Sequence, residues 1–80
     1  MSKEEIYAWL SQTLQDMFEL DPARIVPEAN LADLDIDSID AVDVVVKFKE
    51  LTGKRVQPEV FKSVRTVQDV VNALHALVQG

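Results

Sequence analysis

Residues 34–40 read LDIDSID, with a serine that ends a long irregular stretch and opens an apolar pattern of helical period. Asp37 is placed to cap the free amides at a helix start, and Asp40 lies in the first turn, where the helix dipole favours negative charge. A helix beginning at Ser38 is therefore predicted. Thr52-Gly53 is typical of its end.

The face that this helix buries is predicted from its apolar residues. Those expected in the core are Ile39, Val42, Val45 and Val46, with Leu51 as a further candidate. The run Val44-Val45-Val46 is locally better suited to a strand, because branching at the β-carbon restricts side-chain rotamers in helices. The start and stop residues on either side favour the helix.

A first helix is predicted from about residue 3 to 18. Ser2 followed by Glu5 has the spacing of a capping box, and apolar residues then recur at helical period. Asp21-Pro22 ends this helix, and Pro27 keeps the chain irregular to about residue 36. Because so long a loop needs anchoring in a compact domain, its apolar residues are expected to pack on the core. They are Ile25, Val26, Leu31, Leu34 and Ile36.

Two further helices are predicted after Gly53. Pro58 at a first helical position indicates a short helix to about Ser63. Thr66 with Asp69 repeats the capping pattern and opens a last helix with a broad apolar face. The fold class is therefore all-α: a small four-helix bundle, three longer helices plus one short, with a long loop between the first two. Residues 1–80 are interpreted as one domain.

Composition excludes several classes of function. The chain has 80 residues, no cysteine and a net charge of -6, so neither disulfides nor thiolate chemistry are available. Residues 1–43 hold eleven acids against two bases, whereas residues 44–80 hold three acids against six bases. Such an acidic surface repels nucleic acid and attracts basic protein partners. No secretion signal or membrane-span pattern is present, which predicts a soluble, cytoplasmic monomer.

No catalytic or metal-binding residue is predicted. A serine nucleophile needs an adjacent base, and the single histidine, His75, lies beside the apolar face of the last helix. Asp33, Asp35 and Asp37 alternate as the first ligands of a calcium-binding EF-hand loop do. The rest of that pattern fails, because Ser38 stands where glycine is needed and Val44 stands where a glutamate should close the site.

The residues around Ser38 resemble the acyl carrier protein family, whose motif is Asp-Ser-Leu after a glycine-containing turn. The resemblance covers essentially the whole chain, to Thr66-Val67 at the last helix. It implies that Ser38 carries a 4′-phosphopantetheine arm donated from coenzyme A, and that the arm's thiol holds acyl groups as thioesters. At a helix start, unpaired amides are expected to favour the arm's phosphodiester. Asp35 departs from the usual glycine, and Ile39 from the usual leucine.

The resemblance also implies partners and contact residues. Expected partners are a phosphopantetheinyl transferase, an acyl-loading enzyme, and ketosynthase or acyltransferase-type enzymes of fatty-acid, polyketide or related biosynthesis. The residues expected to dock them are Asp37, Ile39, Asp40, Asp43 and Lys47. The residues expected to line a slot for the acyl chain are Val42, Val45, Val46, Val56, Val60, Phe61 and Val64.

The charges of the second helix predict a specialised pathway. Lys47 and Lys49 stand where carriers of primary fatty-acid synthesis are usually acidic or neutral, and interface charges set partner choice. Two alternatives remain. One is a carrier-like interaction module that works through its acidic surface without a prosthetic group; the other is a calcium sensor.

Overall fold

Three α-helices and two short 3₁₀ turns make up the computed structural model, which describes residues 1–55 and 63–79. The helices are α1 (Lys3–Phe18), α2 (Ser38–Thr52) and α3 (Val67–Gln79), and the 3₁₀ turns are Pro22–Arg24 and Ala32–Leu34. The all-α prediction is confirmed. The first two long helices have the predicted bounds, and the last one begins where predicted. The short helix predicted from Pro58 falls outside the described residues. Nowhere in the described chain is a helix long and apolar enough to cross a membrane.

Capping boxes define where α1 and α3 begin. The Ser2 hydroxyl accepts a hydrogen bond from the Glu5 amide at 3.2 Å, and the Glu5 carboxylate accepts one from the Ser2 amide at 2.9 Å. At α3, the Asp69 carboxylate accepts from the amides of Arg65 and Thr66 at 3.1 and 3.2 Å. These backbone hydrogen bonds are the main reason that the pKa of Glu5 and the pKa of Asp69 are lowered from 4.5 and 3.8.

Acid is therefore expected to weaken the helix starts. Because both pKa values are lower in the folded chain, the stabilisation is present above about pH 4.5 and is lost as the pH falls through the folded-state values. Thermal melts between pH 7 and pH 3 should show the combined variant Glu5→Gln, Asp69→Asn losing less stability on acidification than the parent. Equal losses in the two proteins would show that these carboxylates do not contribute.

The core lies where one face of each helix meets the loop. From α1 and α3 come Ile6, Leu10, Leu14, Val67, Val70, Val71 and Leu74, all buried. Among the described residues, the largest buried side chain is Phe48 of α2, which is 0% exposed. Its ring packs edge-on against Trp9 of α1, with ring centroids 5.3 Å apart and planes inclined by 62°. This contact joins α2 to α1.

The predicted buried face of α2 is largely wrong. The buried residues are Ala41, Val44, Val45 and Phe48, so only Val45 was placed correctly. The side chains of Ile39, Val42, Val46 and Leu51 are 73%, 44%, 49% and 50% exposed. The helix has two apolar stripes of the same period, and the one containing Phe48 faces the core because this large ring packs against Trp9.

The loop between α1 and α2 is held by backbone hydrogen bonds to the start of α3. The Leu31 amide donates to the Arg65 carbonyl at 2.9 Å, and the Val67 amide donates to the Ala29 carbonyl at 3.0 Å. The Tyr7 hydroxyl donates to the Ile25 carbonyl at 2.9 Å. The loop's apolar residues also pack as predicted, apart from Val26, which is 41% exposed. The long loop is thus an ordered wall of the molecule.

Candidate functional site

Ser38 is the first residue of α2. Its chain neighbours Asp37 and Ile39 are both exposed, so the backbone enters the helix at the protein surface. Asp37 is the N-cap residue in an extended conformation, and Asp40 completes a capping box with it. The residues on either side of Ser38 are therefore accessible from solvent.

The amides of Ile39, Asp40 and Ala41 at this helix start are already occupied. One carboxylate oxygen of Asp37, Oδ1, accepts from the amides of Ile39 and Asp40, each at 2.9 Å. The Asp40 carboxylate accepts in return from the Asp37 amide at 3.2 Å, and the Ala41 amide donates to the Asp37 carbonyl at 3.0 Å. The expectation of unpaired amides is not met for Ile39 and Asp40, because the Asp37 carboxylate occupies both of them. A phosphodiester on Ser38 would instead add negative charge beside two carboxylates.

Asp35 adopts the left-handed conformation, with φ 59° and ψ 29°. It ends the 3₁₀ turn, and its amide donates to the Ala32 carbonyl at 3.1 Å. The next amide, of Ile36, donates to the Leu31 carbonyl at 3.0 Å, which turns the chain toward α2. Glycine adopts this conformation without steric cost, which explains why the family motif usually has glycine at this turn.

Glycine at position 35 is expected to stabilise the fold. Relief of left-handed strain should outweigh the extra freedom of the unfolded chain, so Asp35→Gly should raise the free energy of unfolding by about 0.5 kcal/mol. Asp35→Ala should lower it by about 1 kcal/mol, because the β-carbon is disfavoured at positive φ. Asp35→Asn removes the charge but tolerates the conformation, and it should change little. Urea melts in which the Asp35→Ala protein is more stable than the Asp35→Gly protein would contradict this order.

The residues predicted to dock partners lie at the start and along the outer side of α2. Asp37, Ile39, Asp43 and Lys47 are exposed, and Asp40 is half-buried. Val42 and Val46, which were predicted to line the slot, lie on this outer side as well. We call residues Ile39, Val42, Asp43, Val46 and Lys47 the outer face of α2. Whether it binds partners stays a prediction.

A groove of about 360 Å³ lies beside the start of α2, between the loop and the segment that leads into α3. Its apolar lining is Leu31, Ala32, Ile36, Ala41 and Val64, and its polar lining is Asn30, Asp33, Asp37 and Arg65. Leu31, Ile36 and Ala41 also line a narrow crevice toward the core. The groove therefore offers apolar surface that is continuous with the interior and that adjoins residue 38.

Of the predicted slot residues that the structure describes, only Val64 lines this groove. Val45 is buried in the core, and Val56, Val60 and Phe61 lie outside the described residues. Leu31, Ile36 and Ala41 line the groove and were not among the predicted slot residues. The apolar residues of the loop were a usable signal, because a long loop that packs on the core must place some of them beside the helix that follows.

Nothing in the described geometry points to chemistry by the chain itself. His75 is half-buried on α3, away from the α2 start in sequence. In residues 1–55 and 63–79, no three His, Cys, Asp or Glu side chains converge to hold a metal ion. The alternating aspartates at 33, 35 and 37 thus do not form such a group.

Comparisons with known proteins show the family to which the chain belongs. The family model described as phosphopantetheine attachment site matches residues 8–74. The chain is 51% identical over 79 residues to acyl carrier protein 2 of Ralstonia nicotianae, covering 98% of both chains. It is 40% identical over 72 residues to an acyl carrier protein of Myxococcus xanthus, covering 89% of this chain and 91% of that one. A meromycolate extension acyl carrier protein of Mycobacterium leprae is 32% identical, over 96% of this chain and 68% of its own length.

The same fold occurs in a solved structure. The crystal structure of an acyl carrier protein from Thermotoga maritima superposes with a TM-score of 0.83, covering 99% of this chain and 93% of that one, at 22% identity. Fold and matched segment together define a carrier domain of the phosphopantetheine-binding type. The chain belongs to the acyl carrier protein family. Its cofactor is 4′-phosphopantetheine, and its function is to carry acyl groups.

Proposed function

We propose that Ser38 is the residue that bears the phosphopantetheine arm. The observation that carries this proposal is the position of Ser38 as the first residue of α2, between two exposed neighbours and inside the segment that matches the family model. When attached, the arm supplies a thiol that holds acyl groups as thioesters. The chain itself supplies the attachment point and no catalytic group, so it is a carrier and not an enzyme.

The neighbouring residues fit such an attachment. Asp37 holds the helix start through its hydrogen bonds to the amides of Ile39 and Asp40, so the cap does not depend on Ser38. Modification of residue 38 therefore leaves the capping interactions of α2 in place. Because the two carboxylates repel a phosphodiester, the arm is expected to extend away from the helix axis.

The groove beside residue 38 is the proposed shelter for the acyl chain. Leu31, Ile36, Ala41 and Val64 offer apolar surface there, and an acyl chain that leaves water for such surface is stabilised by the hydrophobic effect. Asn30 and Arg65 also line the groove, and their side chains can donate hydrogen bonds to polar groups of the arm or of the acyl group. This assignment differs from the predicted slot of α2 valines, of which Val42 and Val46 face outward.

The partners proposed for this carrier are enzymes that load, extend or transfer acyl groups. They include a phosphopantetheinyl transferase, an acyl-loading enzyme and ketosynthase or acyltransferase-type enzymes, in fatty-acid, polyketide or related biosynthesis. The outer face of α2 is the surface through which they dock, because it adjoins residue 38 and carries exposed charges. Lys47 and Lys49 in this helix favour a specialised pathway.

Loading with the cofactor tests the proposal directly. Purified chain is incubated with coenzyme A and a broad-specificity phosphopantetheinyl transferase, and its intact mass is measured. The expected result is the mass of one phosphopantetheine, located by fragmentation on the peptide that contains Ser38. A mass gain located on another serine would assign the attachment site to that serine. No gain, together with binding to a partner through Asp40 and Asp43, would favour the interaction module without a prosthetic group.

A further inference from the structure

We propose that the outer face of α2 docks an amphipathic partner helix that is acidic at its amino end and basic at its carboxyl end, packed antiparallel to α2. The inference rests on the proposed function, since it specifies the chemistry of a partner that must reach residue 38. Three features carry it: an exposed apolar ridge, an acidic end and a basic end of the same helix.

The middle of the outer face is apolar. Ile39, Val42 and Val46 follow one another at spacings of three and four residues, which aligns their side chains along one ridge. They are 73%, 44% and 49% exposed, although the opposite side of the same helix already supplies the core. Single exposed apolar residues are ordinary, but a continuous ridge of this kind marks a contact surface. Ridges of this spacing fit between the side-chain rows of another helix.

The charges at the two ends of the ridge, along the axis of α2, have opposite sign. Toward Ser38, Asp37, Asp40 and Asp43 make the first half of α2 acidic, and no basic residue lies in that half. Residues 46–55 carry four exposed bases, Lys47, Lys49, Lys54 and Arg55, against the single acid Glu50.

The two charged ends are far enough apart for a partner to distinguish them. From Asp40 to Lys47 the helix rises by about 10 Å, which exceeds the screening length of about 8 Å at physiological salt. In the part of the chain that the structure describes, none of these four bases pairs its side chain with an acid. Their charges are therefore available to a partner.

This arrangement selects the orientation of the partner helix. Helices favour acidic residues in the first turn and basic residues in the last turn. A helix of that ordinary pattern matches α2 only when it runs antiparallel, because its basic end then meets Asp40 and Asp43 while its acidic end meets Lys47 and Lys49. A uniformly basic surface is disfavoured, since it would meet Lys47 and Lys49 with like charge.

A second copy of this chain is the competing occupant. The acidic start and basic end of α2 would also complement each other in an antiparallel pair. Each copy carries a net charge of -6, however, and a phosphodiester on residue 38 would add to it, so two copies repel one another at long range. A separate partner helix without that net charge avoids this repulsion.

Two designed helical peptides of identical composition serve as the probe. Both are chemically stapled and carry the same leucine ridge; one has glutamates in its first turns and arginines in its last turns, and the other has the reverse order. We expect the first to bind the chain at least tenfold more tightly than the second. In spectra of isotope-labelled chain, shifts should centre on the amides of Ile39, Val42 and Val46.

Charge-reversal variants decide whether the basic end contributes. Lys47→Glu with Lys49→Glu should remove most of the tenfold preference. Lys3→Glu, an exposed base on α1, should leave the preference unchanged. Melting curves of both variants confirm that the fold is intact.

The outcomes that would overturn the proposal are equal affinities for the two peptides, binding of neither, or a preference that survives reversal of Lys47 and Lys49. Self-association seen by sedimentation, with no peptide binding, would assign the face to a second copy and would also overturn it. Transferase loading is measured on the same samples. Loss of loading with the peptide preference intact would contradict the proposed function alone, and the converse would contradict this inference alone.

Discussion

Replacing Ser38 with alanine is expected to abolish cofactor loading completely. The arm is joined through a side-chain oxygen, and alanine has none. The fold should be retained, because the cap of α2 is made by the Asp37 carboxylate and the amides of Ile39 and Asp40. Alanine also has the highest helix propensity, so the free energy of unfolding should change by less than about 0.5 kcal/mol. Intact mass after incubation with transferase and coenzyme A is the readout.

The matched control is Ser11→Ala, which removes a serine hydroxyl within α1. The Ser11 hydroxyl accepts a hydrogen bond from Gln15 in the same helix, so a small effect on stability is expected and none on loading. Loading that persists in the Ser38→Ala protein would show that the arm is attached elsewhere. Loading lost in both variants would indicate a folding defect, which melting curves would reveal.

Replacing Phe48 with alanine is expected to produce the largest loss of stability. The side chain is 0% exposed and contacts Trp9, so truncation removes apolar burial and leaves a cavity between α1 and α2. Phenylalanine-to-alanine changes in cores typically cost about 3 to 5 kcal/mol. Because a domain of this size is only marginally stable, the melting temperature should fall by roughly 15 °C or more. Helical circular dichroism is the measurement, since Trp9 fluorescence is itself altered by the change.

Two valines of the same helix give a matched comparison. Val44 is buried and Val46 is 49% exposed, only two positions apart. Val44→Ala should cost about 2 kcal/mol, because two methyl-sized groups leave the core. Val46→Ala should cost less than about 0.5 kcal/mol. A larger loss of stability for Val46→Ala than for Val44→Ala would show that α2 buries its other apolar stripe.

The helix starts could be predicted from the sequence because the residues that cap them are close together in the chain. Ser2 with Glu5, Asp37 with Asp40, and Thr66 with Asp69 each form hydrogen bonds across three residues, so the spacing along the chain is enough to predict them. The start of α2 at Ser38 and the membership of the family follow from the same residues. The starts of all three described helices were predicted for this reason.

The faces of α1 and α3 were predictable for a related reason. Each has one dominant apolar stripe, so periodicity leaves no choice about which side is buried. In α2 the residues on opposite sides are both apolar, and periodicity selects neither. The contact between Phe48 and Trp9 determines which side of α2 is buried, and these two residues are 39 positions apart in the sequence.

The sequence by itself therefore determined the three described helices, the residue at which α2 begins and the family. Only the tertiary structure decided which valines face outward, how the loop binds to the start of α3, and where a groove opens beside residue 38. The physical reason is range: caps and propensities act within a few residues, whereas burial and loop attachment depend on side chains and amides that meet only after the chain has folded.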